Sequence, residues 1–209
     1  MSLVTVIGLL TLGVGSLIAT QHTGCYNYFL QKDHCVFSAA GEARCHAPKK
    51  ECSGIAVTFQ LGPSHSKRSM AHVIQPRYTT NNKSFFVAGG VGICGKYDSY
   101  KQDGVCLWSG NGSPISDSGW LNDAKTSNCG KKVYIQRKGR PGLTVYAPVV
   151  DGCGFNMIES SKGCFEIAFT ATTFQKLKPT EEESKQGGMF DVHWDFDNLD
   201  GSHTRNGPV

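Results

Sequence analysis

Nine cysteines lie between Cys25 and Cys164, and no two are spaced Cys-x-x-Cys. No histidine joins them at zinc-binding intervals, so their chemistry is disulfide formation rather than metal ligation. Carboxylates are the next reactive groups. Two of them can cut a glycosidic bond as general acid and base when they stand ~6.5–9.5 Å apart. The chain carries 17 aspartates and glutamates from which such a pair could be drawn. The histidines are scattered, none beside a nucleophile, and the serines and cysteines form no nucleophile elbow. His193 reads as a surface residue. Asp195, Asp197 and Asp200 offer oxygen ligands, but Phe196 interrupts them and no EF-hand loop is present, so they read as an acidic strand edge. The residues imply no metal and no cofactor. Tyr97, Tyr100, Trp108, Trp120 and Trp194 could stack on sugar rings. Trp194 suits a core. Trp108 and Trp120 flank the loop from Ser109 to Gly119, where they either line a groove or pack inside.

The elements that must position these residues are mostly strands. Leu3 to Ile18 is apolar and uncharged, with small residues behind it. That pattern reads as a secretory signal over residues 1–19, removed on export. No later segment is apolar enough to span a bilayer, so no membrane contact is expected after its removal. Residues 20–61 form a Cys-rich N-terminal segment, with a short alternating strand at Ile55–Phe59. Cys25, Cys35, Cys45 and Cys52 allow three pairings, which sequence does not choose between. The segment is either a small stapled module or an extension packed on the main domain. Residues 62–77 read as a polar linker that carries a dibasic pair, Lys67-Arg68. Asn82-Lys83-Ser84 is an N-glycosylation sequon, which makes Asn82 the acceptor.

From residue 78 to 199 the chain reads as strands divided by turns. Candidates are Ser84–Ala88, Gly104–Trp108, Lys132–Arg137, Leu143–Val150 and Phe190–Phe196. Gly139-Arg140-Pro141-Gly142 is a turn. Thr170–Leu177 is the helix candidate, with Ala171, Phe174 and Leu177 on one face and Lys178-Pro179 as its stop. Residues 200–209 are a tail. With 25 glycines, the chain suits a turn-rich β-protein.

Four segments in this region carry a family resemblance. They are Phe85 to Gly95, ending Gly92-Ile93-Cys94-Gly95; Cys129-Gly130-Lys131-Lys132; Val149-Val150-Asp151-Gly152-Cys153; and Phe169-Thr170 with Phe174 four residues on. In this order, with the closing Val192-His193-Trp194-Asp195-Phe196 strand, they resemble the RlpA-like, barwin-like and expansin-like secreted proteins. The resemblance implies a mainly β fold: a six-stranded double-psi β-barrel with one or two short helices, plus the Cys-rich extension. It places the two acids of the catalytic relatives at Ala88 and Ala168. Alanine neither donates nor accepts a proton, so the resemblance implies no hydrolase activity. The alternative is a cell-wall glycan hydrolase or lytic transglycosylase that uses Asp98, Glu166 and Asp151 instead.

The resemblance also implies a groove beside the Cys-Gly turn, with Tyr97, Asp98, Trp108, Trp120 and Asp151 as ligand-binding residues. It pairs Cys94 with Cys129 and Cys153 with Cys164, leaves Cys25, Cys35, Cys45 and Cys52 to pair among themselves, and makes Cys106 the odd thiol. The expected partner is cell-wall polysaccharide or a host or wall protein, in the manner of fungal effectors. An inhibitor or decoy of a host enzyme is a third class.

Charge is uneven. From Thr180 onward seven acids face Lys185 and Arg205, net −5; the total is +4, so the residues before Thr180 carry +9. A basic body attracts anionic polysaccharide at long range or simply keeps the protein soluble. No nucleic-acid motif accompanies it.

Overall fold

The computed structural model describes residues 22–33, 36, 78–112, 118–140, 142–189, 192–197 and 204–209. The expected signal, the Ile55–Phe59 strand, the linker, Lys67-Arg68 and Cys35, Cys45 and Cys52 lie outside these residues. The described fold is mainly β, with ten strands and four short helices. The strands are β1 (Tyr78–Thr79), β2 (Ser84–Val87), β3 (Gly90–Gly92), β4 (Gly95–Tyr97), β5 (Val105–Trp108), β6 (Lys132–Arg137), β7 (Thr144–Cys153), β8 (Ile167–Thr170), β9 (Gly188–Met189) and β10 (Val192–Phe196). The helices are α1 (Gly24–Asp33), α2 (Ser160–Gly163), α3 (Ala171–Lys176) and α4 (Glu181–Gln186).

Eight strands form one curled, barrel-like sheet in the order β1-β10-β6-β7-β5-β8-β2-β9, and β3 and β4 form a separate hairpin. Two neighbouring pairs are parallel, β5 with β7 and β2 with β8, and β5 and β8 run antiparallel between them. Every residue of β5, β8 and β10 is buried, so both faces of these strands are covered. That corrects two expectations: His193 and Asp195 are buried, not surface residues of a strand edge.

Local chemistry explains the helices. Thr170 caps α3 by accepting from the Thr173 N–H, and Ala171, Phe174 and Leu177 face inward as their spacing requires. Thr180 and Glu183 form a capping box at the start of α4, and Gly187 ends that helix at φ 66°. Glu183 also pairs with the Arg137 guanidinium at 2.6 Å, which ties α4 to the end of β6. α1 belongs to the Cys-rich segment, yet it packs into the main core through Cys25 and Phe29.

The core is aromatic. Phe29, Tyr78, Trp120, Trp194 and Phe196 form one cluster, with Tyr78 and Trp194 centroids 4.6 Å apart and Trp120 and Phe196 centroids 5.1 Å apart. Each tryptophan also needs an acceptor for its buried N–H. All three find one in the connection between β7 and β8. Trp108 Nε1 donates to the Met157 carbonyl at 3.2 Å, Trp120 Nε1 to Cys164 at 2.9 Å and Trp194 Nε1 to Phe165 at 2.9 Å. The Trp108 indole lies over Gly163, where a Cβ would overlap the ring.

Two variants test this core. Trp120→Ala should destabilise the protein by ~3–5 kcal/mol in denaturant unfolding, as expected for a fully buried indole. Gly163→Ala should cost ~1–3 kcal/mol, because the added methyl must displace Trp108. An unchanged unfolding midpoint for either variant would contradict the packing described.

Candidate functional site

Asp151 sits on β7 across from Cys106 on β5. Its Oδ1 accepts from the Ile93 and Gly152 N–H groups, each at 2.8 Å, and its Oδ2 accepts from the Tyr97 hydroxyl at 2.9 Å. The carboxylate therefore clamps the β3–β4 hairpin onto the sheet. Gly92 is required beside it, since a Cβ there would occupy the carboxylate's position. Burial, reinforced by the bond to Asp151, pushes the Tyr97 phenol far above its ordinary value. Tyr97 is itself buried, and Tyr97 and Asp151, both expected to bind ligand, bond to each other instead.

Asp98 is exposed and faces its own loop. It accepts from the Tyr100 N–H at 3.0 Å and pairs with Lys101 at 3.2 Å. The backbone bond from Tyr100 is the main cause of a pKa below the usual carboxylate value, with Lys101 adding to it. Glu166 is buried in a third place. Its Oε1 accepts from the Asn81 N–H at 3.1 Å and from Asn82 Nδ2 at 3.3 Å. Burial pushes this carboxyl above its ordinary 4.5 despite those bonds. The three acids considered as substitutes for a catalytic pair are thus each engaged by different partners. Of the two positions at which the resemblance would put catalytic acids, Ala88 is exposed just beyond β2, whereas Ala168 is wholly buried against Cys106.

The tryptophans placed in a groove by resemblance are not there. Trp108 and Trp120 are fully buried, because both indoles complete the aromatic core and bond to carbonyls beneath it. The cysteine pairing also differs. Cys94 bonds Cys129, but Cys153 bonds Cys106 and Cys164 bonds Cys25. The parallel β5–β7 register sets Cys106 beside the end of β7, so Cys106 is not the odd thiol. α1 lies against α2 and brings Cys25 to Cys164, so Cys25 does not pair within its own segment.

The described residues form an open trough of about 530 Å³, lined by Phe86, Tyr100, Ala171, Thr172, Phe174, Gln175 and Lys176. Ser99 builds it. Its hydroxyl donates to the Val87 carbonyl and accepts from the Ala171 N–H at 2.7 Å. Its carbonyl accepts from the N–H of Thr172 at 3.0 Å and from the Thr172 hydroxyl at 3.1 Å. The loop after β4 is thereby stitched to the end of β2 and the start of α3. Tyr100 stands 70% exposed on that loop, and Phe86, 37% exposed, rests on Phe174. Each lysine near the trough has an acid beside it: Lys101 with Asp98, and Lys176 with Asp103 at 2.5 Å. Sequence reasoning reached Tyr100 as an aromatic but missed Phe86, Thr172, Gln175 and Lys176. No local signal marks those four, because only the parallel β2–β8 pairing brings α3 to β2.

No family model matches this chain, and no curated protein sequence matches it. Among solved structures it is similar to Streptomyces papain inhibitor (SPI), at 23% identity and a TM-score of 0.38, over 55% of this chain and 89% of that one. The chain's three described disulfides are consistent with an extracellular protein.

Asp151→Ala strands two N–H donors and a phenol, and should cost about 3 kcal/mol in urea unfolding, while Asp151→Asn, which keeps an acceptor, should cost less. For Glu166 the sign runs the other way. Its folded pKa is raised, so the unfolded chain loses the proton first as pH climbs past 4.5, and the group's contribution to stability falls through that window and stays lost at neutral pH. The Asn81 N–H and Asn82 Nδ2 both bond to Oε1, so Gln preserves those two bonds. Glu166→Gln should raise the melting temperature at pH 7 and change it little near pH 4. Equal shifts at both pH values would contradict a raised carboxyl.

Proposed function

We propose that this protein is a secreted, non-catalytic double-psi β-barrel that binds a neutral cell-wall polysaccharide through the trough beside Tyr100. Register supports the six-stranded reading. Tyr78 pairs with Trp194, and Ser84 pairs with Met189. Continuing the first register would set Ser84 against Gly188, so the two registers differ by one residue, the offset of a β-bulge. On this reading β1 and β2 are halves of one interrupted strand, and β9 and β10 are halves of another. Their pairing joins the two ends of the sheet and leaves six strands in a ring. The parallel, antiparallel, parallel sequence of β7, β5, β8 and β2 is symmetric about its centre, as two interlocked psi loops require.

The observation that carries the binding reading is the fate of the carboxylates. Ala88 and Ala168 supply none, and Asp98, Asp151 and Glu166 each hold separate structural partners. An acid-base pair across one glycosidic bond needs two acids on one surface. The trough instead offers an exposed phenol ring, a second aromatic edge and polar Gln175 and Thr172, a combination suited to stacking and hydrogen bonding to a sugar. Its lysines are matched by Asp98 and Asp103, which favours an uncharged ligand over an acidic one.

The test is binding and turnover on a panel of soluble wall glycans. A neutral β-glucan oligosaccharide should bind with an affinity that changes little between low and high salt. Tyr100→Ala should weaken it about tenfold, ~1–2 kcal/mol, with an unchanged melting temperature. No reducing sugar should appear. Release of sugar that Glu166→Gln abolishes would replace this reading with the hydrolase alternative. Binding confined to acidic glycans and lost in salt would move the site to the basic surface.

A further inference from the structure

The sequon Asn82-Lys83-Ser84 lies where β1 gives way to β2, and the structure treats its two reactive residues differently. Asn82 is exposed, and its Nδ2 donates to Glu166 Oε1 at 3.3 Å. Ser84 is the first residue of β2, pairs with Met189 on β9 and is fully buried. Among the described residues its hydroxyl has no hydrogen-bond partner. A buried hydroxyl without a partner costs stability, so packing alone does not account for serine here.

We propose that Asn82 is an N-glycan acceptor that can be modified only before the chain folds. The transfer joins Asn82 Nδ2 to the anomeric carbon of a lipid-linked oligosaccharide. The bond from that carbon to the lipid diphosphate breaks, the diphosphate leaves with the electron pair, and Nδ2 gives up one proton. The transferase must reach both the amide and the hydroxyl two residues on. In the folded protein that hydroxyl is closed inside the β2–β9 pair. In the unfolded chain both groups are open.

The finished glycan is compatible with the fold. A glycosylated Asn82 amide keeps one N–H, which suffices for the bond to Glu166. The Asn81 N–H holds the same oxygen independently at 3.1 Å. The sugar then leaves from an exposed position. Ser84 accordingly serves the modification and not the packing, which explains a hydroxyl at a site where alanine would satisfy the sheet.

The experiment has two arms. The full chain is secreted from a eukaryotic host and mapped by mass spectrometry at the Asn82 peptide. Asn82 should be occupied, and Ser84→Ala should abolish occupancy without lowering the melting temperature. In the second arm, unglycosylated full-length protein is folded with its disulfides formed. It is then given purified oligosaccharyltransferase and a lipid-linked donor, beside the same protein reduced and unfolded. The unfolded chain should be modified at least tenfold faster. An unoccupied Asn82 in the secreted protein would overturn the proposal, and so would equal modification of folded and unfolded protein. If Ser84→Ala lowers the melting temperature, the hydroxyl has a packing role and the proposal's account of it fails.

Discussion

The connection between β7 and β8 is the part on which the rest of the molecule depends. It is a run of turn and short helix that a sheet alone would leave loose. Three indole N–H groups, from β5, from the segment before Leu121 and from β10, all donate into its carbonyls. Cys25–Cys164 fixes the same run to α1. A buried indole N–H without an acceptor carries a desolvation cost of roughly 1–3 kcal/mol, so each tryptophan is held to this backbone as firmly as the backbone is held to it. The aromatic core, the position of α1 and the start of β8 are set in the same way. β8 in turn pairs with both β5 and β2, and α3 grows directly from its end. The trough therefore inherits its geometry from a connection on which none of its residues lies.

The same economy of polar groups holds Asp98, Asp151 and Glu166 in three separate places. A carboxylate in a small β-protein can be a reagent only if its oxygens remain available. Here Asp151 takes three donors, Glu166 takes two and Asp98 takes a backbone N–H and a lysine. Each arrangement solves a local backbone problem: a hairpin to be docked, a strand break to be closed, a loop to be turned. A group that closes a strand break cannot also swing toward a substrate without reopening it. A disulfide crosses the same region: Cys106 stands between Asp151 and Ala168 in register and bonds Cys153 near the end of β7.

Much of the sheet is written plainly in the chain. Alternation over Lys132–Arg137 gives β6 from its first residue to its last, and the apolar spacing of Ala171, Phe174 and Leu177 gives α3 and its buried face. The capping box at Thr180 to Glu183 was equally legible by its Thr-x-x-Glu spacing, although α4 went unpredicted. What was not legible depends on contacts between distant residues. Trp108 and Trp120 look the same in sequence whether they line a groove or fill a core; only the carbonyls of Met157 and Cys164 decide it. Cys25 cannot be assigned to Cys164 from spacing, since 139 residues separate them. His193 alternates as an outward residue should, yet it is buried, because alternation reports which face a residue takes and not whether that face is covered.

Charge acts at two separate ranges in this molecule. Lys96, Lys132 and Lys178 are exposed, and a basic body attracts anionic surfaces over a Debye length of ~8 Å at physiological ionic strength. Contact at the trough is a different matter. There Lys101 and Lys176 each lie within 3.2 Å of a carboxylate, so a ligand at the proposed site beside Tyr100 would meet dipoles rather than a net field. An acidic ligand would have to displace Asp98 or Asp103 from its lysine and then lie next to the freed carboxylate. A neutral ring needs neither step and covers the exposed phenol directly. On the proposed binding reading, long-range attraction to a charged surface and contact with an uncharged ligand would draw on different residues, so neither would exclude the other.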